Sequence, residues 1–364
     1  MSDSSTKRES GFSLLEMVIA MALGTLVLGA AVQLYSQGVA ATWTVSQRAE
    51  MQQDFRAASN MMTKDLSLAG AGLGNGAAIA LPSLVTPVYG CAQMSGLPCY
   101  LGSANNAGLG YPKQGTTAYL YGLMPGLNNG PTLNASQGAT DVITVVYADS
   151  SFYLNCYTAT VTSSTVVTFT LPSPLTCVLP NGVAAPQNVN DTVIGLTPGD
   201  LILFSYSPNV VAEVTAVNSN VVTFAAGDAL KMNQTTAASG NLAHASGSGT
   251  GTRIFAITYY IDNSVTPARL MRQVSGHAPM PVADNMAYLK FSYDLFNDAT
   301  NTPEPNQTDG GAALSLLPNQ ITKINILHMA MDSTVKGAKG GYQGMDLETS
   351  VSARNLTYSN GYPQ

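Results

Sequence analysis

Hydrophobic positions along the chain fall into three regimes. From Phe12 to Leu34 they are nearly continuous, with Glu16 the only charge. From Met51 they recur as Met51, Phe55, Ala58, Met62, Leu66 and Ala69, three or four residues apart, and from Asp141 onward they alternate or gather in short β-branched runs. The first regime predicts a helix roughly 34 Å long at 1.5 Å per residue, enough to cross a bilayer with some tilt. The second predicts an amphipathic helix whose other face carries Arg48, Glu50, Asp54, Arg56, Lys64 and Asp65. No proline lies between Phe12 and Leu81. The two regimes therefore join into one helix from Phe12 to about Ala69, with a break expected near Gly38 and a stop at Gly70, Gly72, Gly74 and Gly76. Gly72 and Gly74 with Ala77 meet a loose Gly-x-Gly-x-x-Ala pattern, but they close a helix and lead into Pro82 and Pro87, so they read as the helix stop and not as a dinucleotide loop.

The third regime predicts strands at Val142 to Tyr147, Phe152 to Val161, Val166 to Leu171, Leu201 to Tyr206, Val210 to Val217, Val221 to Ala225 and Ile254 to Ile261. Later candidates are Leu270 to Val274, Met286 to Leu295, Ile321 to Met331 and Leu347 to Ala353. Two stretches echo each other, Ser164-Thr165-Val166-Val167-Thr168-Phe169 and Ser219-Asn220-Val221-Val222-Thr223-Phe224. Independent hairpins with Ser/Asn turns account for them without a duplication. The expected class is α+β, a long N-terminal helix packed against a C-terminal antiparallel sheet domain. The expected segments are 1–11 ahead of the helix, 12–35 as its spanning part, 36–70 as its amphipathic part, 71–140 as an irregular Gly/Pro-rich insertion and 141–364 as the β-rich domain.

Glu16 is the feature that length does not explain, because a lone charge at mid-membrane costs about 3 kcal/mol. A cut between Gly11 and Phe12 would place a new α-amine one helical turn away. Opposite unit charges ~4 Å apart are worth about 4 kcal/mol at an effective dielectric of 20, comparable to that cost. Glu16 would also sit in the first turn, where the helix dipole favours an anion. An uncleaved anchor or a secretory signal cut near Gly29-Ala30-Ala31 are the alternatives. The run is longer than a usual signal core and has Glu16 where such a signal would have an apolar residue.

Composition narrows the rest. Net charge is −6, which excludes a basic nucleic-acid surface, and only 10% of residues are charged. Lys7 and Arg8 before the apolar run put the N-terminus in the cytoplasm and the remainder across the membrane. In an oxidising compartment the four cysteines, Cys91, Cys99, Cys156 and Cys177, would pair; three connectivities are possible, and sequential pairing is expected. Neither pair has the Cys-x-x-Cys spacing of a zinc or redox site. His244, His277 and His328 are dispersed, no nucleophile elbow or phosphate loop is present, and Asp294, Asp298 and Asp309 lack EF-hand spacing. Neither an enzyme nor a cofactor is expected.

Lys7-Arg8-Glu9-Ser10-Gly11 before Phe12-Ser13-Leu14-Leu15-Glu16 resembles the leader and processing site of type IV pilins and pseudopilins. The resemblance implies that a prepilin peptidase cuts after Gly11 and methylates the amine of Phe12, and that Glu16 pairs with the N-terminal amine of a neighbouring subunit. Further along, Asp141-Val142-Ile143-Thr144-Val145, Gly199-Asp200-Leu201-Ile202-Leu203, Leu270-Met271-Arg272, Pro281-Val282-Ala283-Asp284-Asn285, Leu289-Lys290-Phe291-Ser292-Tyr293 and Arg354-Asn355 are similar in order to the PilW group of minor pilins. That likeness implies a subunit held in the inner membrane with its N-terminus in the cytoplasm, then delivered to a pilus, with other pilins and the assembly platform as partners. A type II secretion pseudopilin, or an adhesive module displayed on a pilin helix with residues 77 to 139 as its binding surface, are the competing readings. Ala20, Ala22, Gly24, Gly29, Ala30 and Ala31 supply small surfaces for close helix approach.

Overall fold

The computed structural model describes residues 11–73, 79–82, 88–89, 109–110, 113–114, 117–172, 178, 182, 184–206, 209–236, 240–245, 247–297, 300–307, 320–334 and 341–356. The chain divides into two compact units, Met1–Glu50 with Ser333–Gln343, and Met51–Asp332 with Gly344–Gln364. One helix runs from Leu14 to Ser67. The break expected near Gly38 is absent: the helix runs through it unbroken, with the Thr42 hydroxyl bonded back to the Gly38 carbonyl at 2.9 Å. In the first unit Gln47 donates a hydrogen bond from its side chain to the Thr334 hydroxyl.

The second unit is built on the long strand Ser248–Asp262. Its first part lies between Thr158–Ser163 and Leu201–Ser205, and its second part between Val142–Ala148 and Arg269–Val274, all antiparallel. The Gly-rich start of this strand reads as a loop in sequence. It is strand because rings occupy the space where side chains would stand: an added Cβ on Gly249 would fall 2.7 Å from the Tyr206 ring, and one on Gly251 3.2 Å from Phe169. The two echoing hairpins sit side by side. Val166–Thr170 pairs antiparallel with Val221–Thr223, centred on Val167 opposite Val222. Phe169 N–H donates to Asn220 O at 2.8 Å, and Phe224 N–H donates to Thr165 O at 2.7 Å, so each turn closes the other's strand.

A second sheet orders Thr302–Gln307, Met286–Asn297, Ile321–Asp332 and Gly344–Ser352. The first of these has Pro303 and Pro305, which its edge position tolerates. Asp294 lies in the second strand, where it accepts from Asn306 N–H and the Asn325 side chain; Asp298 and Asp309 are outside the described residues. The stretch expected to be irregular from 71 to 140 includes strands at Thr117–Leu120 and Leu123–Gly126, and the latter joins the large sheet beside Val142–Ala148. Leu120, Tyr121, Leu123 and Met124 are buried, which gives this short segment the core contact that its weak periodicity conceals. Cys156, in the turn Leu154–Cys156, is disulfide-bonded; Cys91, Cys99 and Cys177 lie outside the described residues.

Met51, Phe55, Ala58, Met62, Leu66 and Ala69 pack as expected, against Ile143, Ile257 and Tyr259 of the large sheet and Leu289, Phe291 and Met329 of the second. Asp65 departs from expectation. It is 4% exposed, on the packed face instead of the polar one. Its carboxylate accepts from Arg272 Nε at 2.8 Å, the Tyr259 hydroxyl at 2.6 Å and the Tyr147 hydroxyl at 3.4 Å. Burial, with Asp65 next in weight, pushes Tyr147 up to about 12 and Tyr259 up as well. The helix then stops where Gly70 and Gly72 take φ of 78° and 71°. Gly70 N–H donates to Val146 O and Ala148 N–H to Ala71 O, both at 2.8 Å, which ties the turn to the sheet.

Asp141 makes a comparable tie to the second sheet. Fully buried, it accepts from the backbone N–H of Asn128 at 2.8 Å and of Phe291 at 3.0 Å, and from Lys290 Nζ at 2.7 Å. Truncating one partner of a buried pair leaves the others unmatched. Asp65→Ala is accordingly expected to cost about 3 kcal/mol in denaturant unfolding of the full chain in detergent. Its exposed neighbour Lys64, changed to Ala, should move stability by less than about 0.5 kcal/mol.

Candidate functional site

The first turn of the helix carries the residues that sequence singles out. Gly11, Phe12 and Ser13 precede the helix, which starts at Leu14. Phe12 is 87% exposed, and a Cβ added to Gly11 meets nothing within 4 Å. The bond between them is therefore open on all sides in the described residues, and the fold itself makes no demand for glycine there.

Glu16 has a partner within its own helix. Ser13 N–H donates to Glu16 Oε2 at 3.0 Å, and Glu16 N–H donates to Ser13 Oγ at 3.2 Å. This reciprocal pair is a capping box, which satisfies two of the amides that a helix start leaves unpaired. The Ser-x-x-Glu spacing was readable in sequence, but the apolar run drew attention to the charge of Glu16 and away from its spacing. The carboxylate of a lone chain is thus held by a backbone donor within its own first turn.

Beyond the cap, every large apolar side chain from Phe12 to Leu34 is at least 50% exposed. A helix that is apolar on all faces is one that lipid or other helices cover. By length and composition the helix is long and apolar enough to cross a membrane. Its few hydroxyls are turned inward to the backbone: Thr25 bonds the Ala22 carbonyl, Ser36 that of Gln33 and Thr44 that of Ala40, each at 2.9 Å. Gly24 and Gly29 have open space where a Cβ would stand, as flat surfaces for a second helix require. Farther on, Tyr35 and Trp43 bound a shallow groove of about 560 Å³ over Gly38, Val39, Thr42 and Ser46.

The other charged clusters are closed on themselves. Arg253 is buried between the rings of Phe152 and Phe255, 5.4 Å from each centroid. It donates to Asp149 at 2.8 Å and to Gly195 O at 2.8 Å, with Asp200 at 3.5 Å. Asp200 also bonds His277 at 2.9 Å. Burial works against its charge, but His277, the Thr197 amide and Arg253 outweigh that and hold it below the usual carboxylate range. His328 pairs with Asp346 across two strands at 2.9 Å. His244 ends the turn Leu242–His244. No group of three or more potential metal ligands occurs among the described residues.

Residues 6–32 match the family model described as the prokaryotic N-terminal methylation motif. The match supports a type IV pilin-like protein. It covers the Gly11–Phe12 bond, Glu16 and most of the apolar run, and implies processing by a prepilin peptidase and association with other pilins. With the helix it fits anchoring in the inner membrane. No curated protein and no solved structure matches the chain. Long helix and antiparallel sheet domain together form the α+β arrangement of a pilin-like fold.

The cap predicts a local effect that can be read directly. Ser13→Ala removes one bond of the box and is expected to cost the first turn about 1 kcal/mol. Amide hydrogen exchange at Glu16 and Met17 should then be several-fold faster, with exchange at Ala58 unchanged.

Proposed function

We propose that the chain is a minor pilin: a membrane-held subunit that enters a type IV pilus or starts its assembly. The observation that carries this reading is the processing motif set directly before a continuous helix whose first half is apolar on every face. A prepilin peptidase cuts between Gly11 and Phe12 and methylates the Phe12 amine. Membrane helices then pass from lipid to a helical array of neighbours. Apolar surface stays covered throughout, so the exchange costs little, and the small residues between Ala20 and Ala31 let the helices approach.

Glu16 supplies direction to that exchange. In the stored subunit its carboxylate is held by the Ser13 amide; in the array it turns to the α-amine of the adjacent subunit, a full opposite charge in a medium of low dielectric. The N-terminus faces the cytoplasm before assembly, and the β-rich unit lies in the periplasm and then on the fibre or at the cell surface. In that oxidising setting Cys91 pairs with Cys99 and Cys156 with Cys177. Assembly partners are other pilins and the platform that extracts them. The large β-rich unit, which decorates or caps a fibre, favours a pilus over the shorter piston of a secretion pseudopilin.

Glu16→Ala is expected to leave membrane insertion intact and to cut incorporation into sheared pili at least tenfold. Unchanged incorporation would remove the pairing role. Loss of surface pili with normal enzyme export on gene deletion separates the pilus from the secretion machine; the reverse pattern would assign the chain to secretion.

A further inference from the structure

Among the described residues, strand Val210–Glu213 ends its sheet, paired on one side only with Leu201–Ser205. Its other side is occupied by a loop segment, residues 225–234. The Asn233 carboxamide stands in for a neighbouring strand: its Oδ1 accepts the Glu213 N–H at 3.0 Å and its Nδ2 donates to Glu213 O at 2.7 Å. Leu230 and Met232 of the same segment enter the core beside Val211. The backbone groups that Glu213 would otherwise present at the sheet edge are thereby paired.

Two buried carboxyls hold the cover in place. Glu213 is 4% exposed and Asp228 8%. Leu230 N–H donates to Glu213 Oε2 at 2.8 Å, while Met232 N–H and Asn233 N–H donate to the two oxygens of Asp228 at 2.6 and 3.0 Å. The two carboxyls thus converge on the amides of one short segment, close enough for Asp228 to raise the cost of a charge on Glu213. On its far side Glu213 is wedged against a turn, where a Cβ on Gly276 would fall 2.2 Å from Oε1. Carboxylates donate nothing, so two carboxyls bond each other only when one of them carries a proton.

We propose that this shared proton is a latch: while Glu213 and Asp228 hold it, residues 225–234 stay on the sheet edge, and when it leaves, two buried like charges drive the segment off. Release exposes the edge strand and the apolar side chains of Leu230 and Met232, a surface suited to pairing with another strand. The other titratable groups on the turns packed against Glu213 are Asp200 and His277, which bond each other at 2.9 Å, with Arg253 3.5 Å from Asp200. Lys231 is the cation of the covering segment itself and is partly buried. Burial first, and then Asp228, push Glu213 from 4.5 up to about 8.

The direction of the effect follows. In the open segment Glu213 titrates near its ordinary value, whereas in the closed one it keeps its proton to about pH 8. Closure therefore binds a proton across that window, and the cover is tightest below it. Opening becomes easier as pH rises, by up to about tenfold per pH unit.

Hydrogen exchange of the full chain in detergent, followed from pH 5 to 9 and corrected for intrinsic rates, tests the latch. Protection of the Leu230, Met232 and Asn233 amides is expected to fall by up to tenfold per unit to about pH 8, with that of Ala58 and Met62 flat. Glu213→Gln donates to Asp228 without a titrating proton and should flatten the profile at its low-pH level. Should that variant fail to fold, the infrared band of a protonated carboxyl in the wild-type chain is the second reading, expected at pH 6 and lost by pH 9. A flat wild-type exchange profile, a slope that survives Glu213→Gln, or the absence of that band at pH 6 would overturn the proposal.

Discussion

A carboxylate on an apolar helical surface persists only where donors meet it, and this helix carries two. Glu16 is met in its own first turn by the Ser13 amide. Asp65, on the stripe that continues from Met51 and Ala58 at a spacing of seven, is met by Arg272, Tyr259 and Tyr147. The two solutions differ in permanence. A guanidinium and two phenols fixed on three strands cannot be exchanged without unpacking the core, whereas a single capping bond is easily traded for a stronger partner. One acid of the helix is therefore committed to the folded core, and the other is held only within its own first turn.

The same economy of charge runs through the β-rich unit. With only 10% charged residues in the chain, six acids are nonetheless buried among the described residues, Asp65, Asp141, Asp149, Asp200, Glu213 and Asp228. Each joins elements distant in sequence or fastens a loop to a strand. Asp141 links the entry to the large sheet with Lys290 and Phe291 of the second, and Asp149 and Asp200 converge on Arg253 of the long strand. These acids act as ties inside the molecule and leave its surface to Ser, Thr, Asn and Gly. Glu213 and Asp228 differ in that the donors that meet them are backbone amides of one covering segment.

The helix and most strands were legible in sequence because each follows one period. Met51 to Ala69 repeats every three to four residues, and Val142–Ala148 or Ile321–Asp332 are dominated by β-branched and apolar residues. What was hidden had contacts that no local pattern encodes. Ser248–Asp262 begins in glycines that only the rings of Tyr206 and Phe169 explain, and Thr302–Gln307 has prolines that only an edge permits. Asp65 was assigned to the polar face by its charge although its spacing placed it on the apolar stripe. At the candidate site, Gly11, Phe12 and Glu16 were singled out by the motif, which the family match over residues 6–32 covers. The capping role of Ser13 was encoded by the Ser-x-x-Glu spacing and overlooked, and the tie at Asp65 depended on strands some two hundred residues away in sequence.

The central claim is that a cut after Gly11 makes a new amine at Phe12, one helical turn from Glu16. Intact-mass and N-terminal peptide analysis of the protein isolated from membranes and from sheared pili tests it most directly. The account predicts a chain that begins at N-methylated Phe12 in both fractions. A chain that still carries its first eleven residues, or that begins near Ala31, would contradict it.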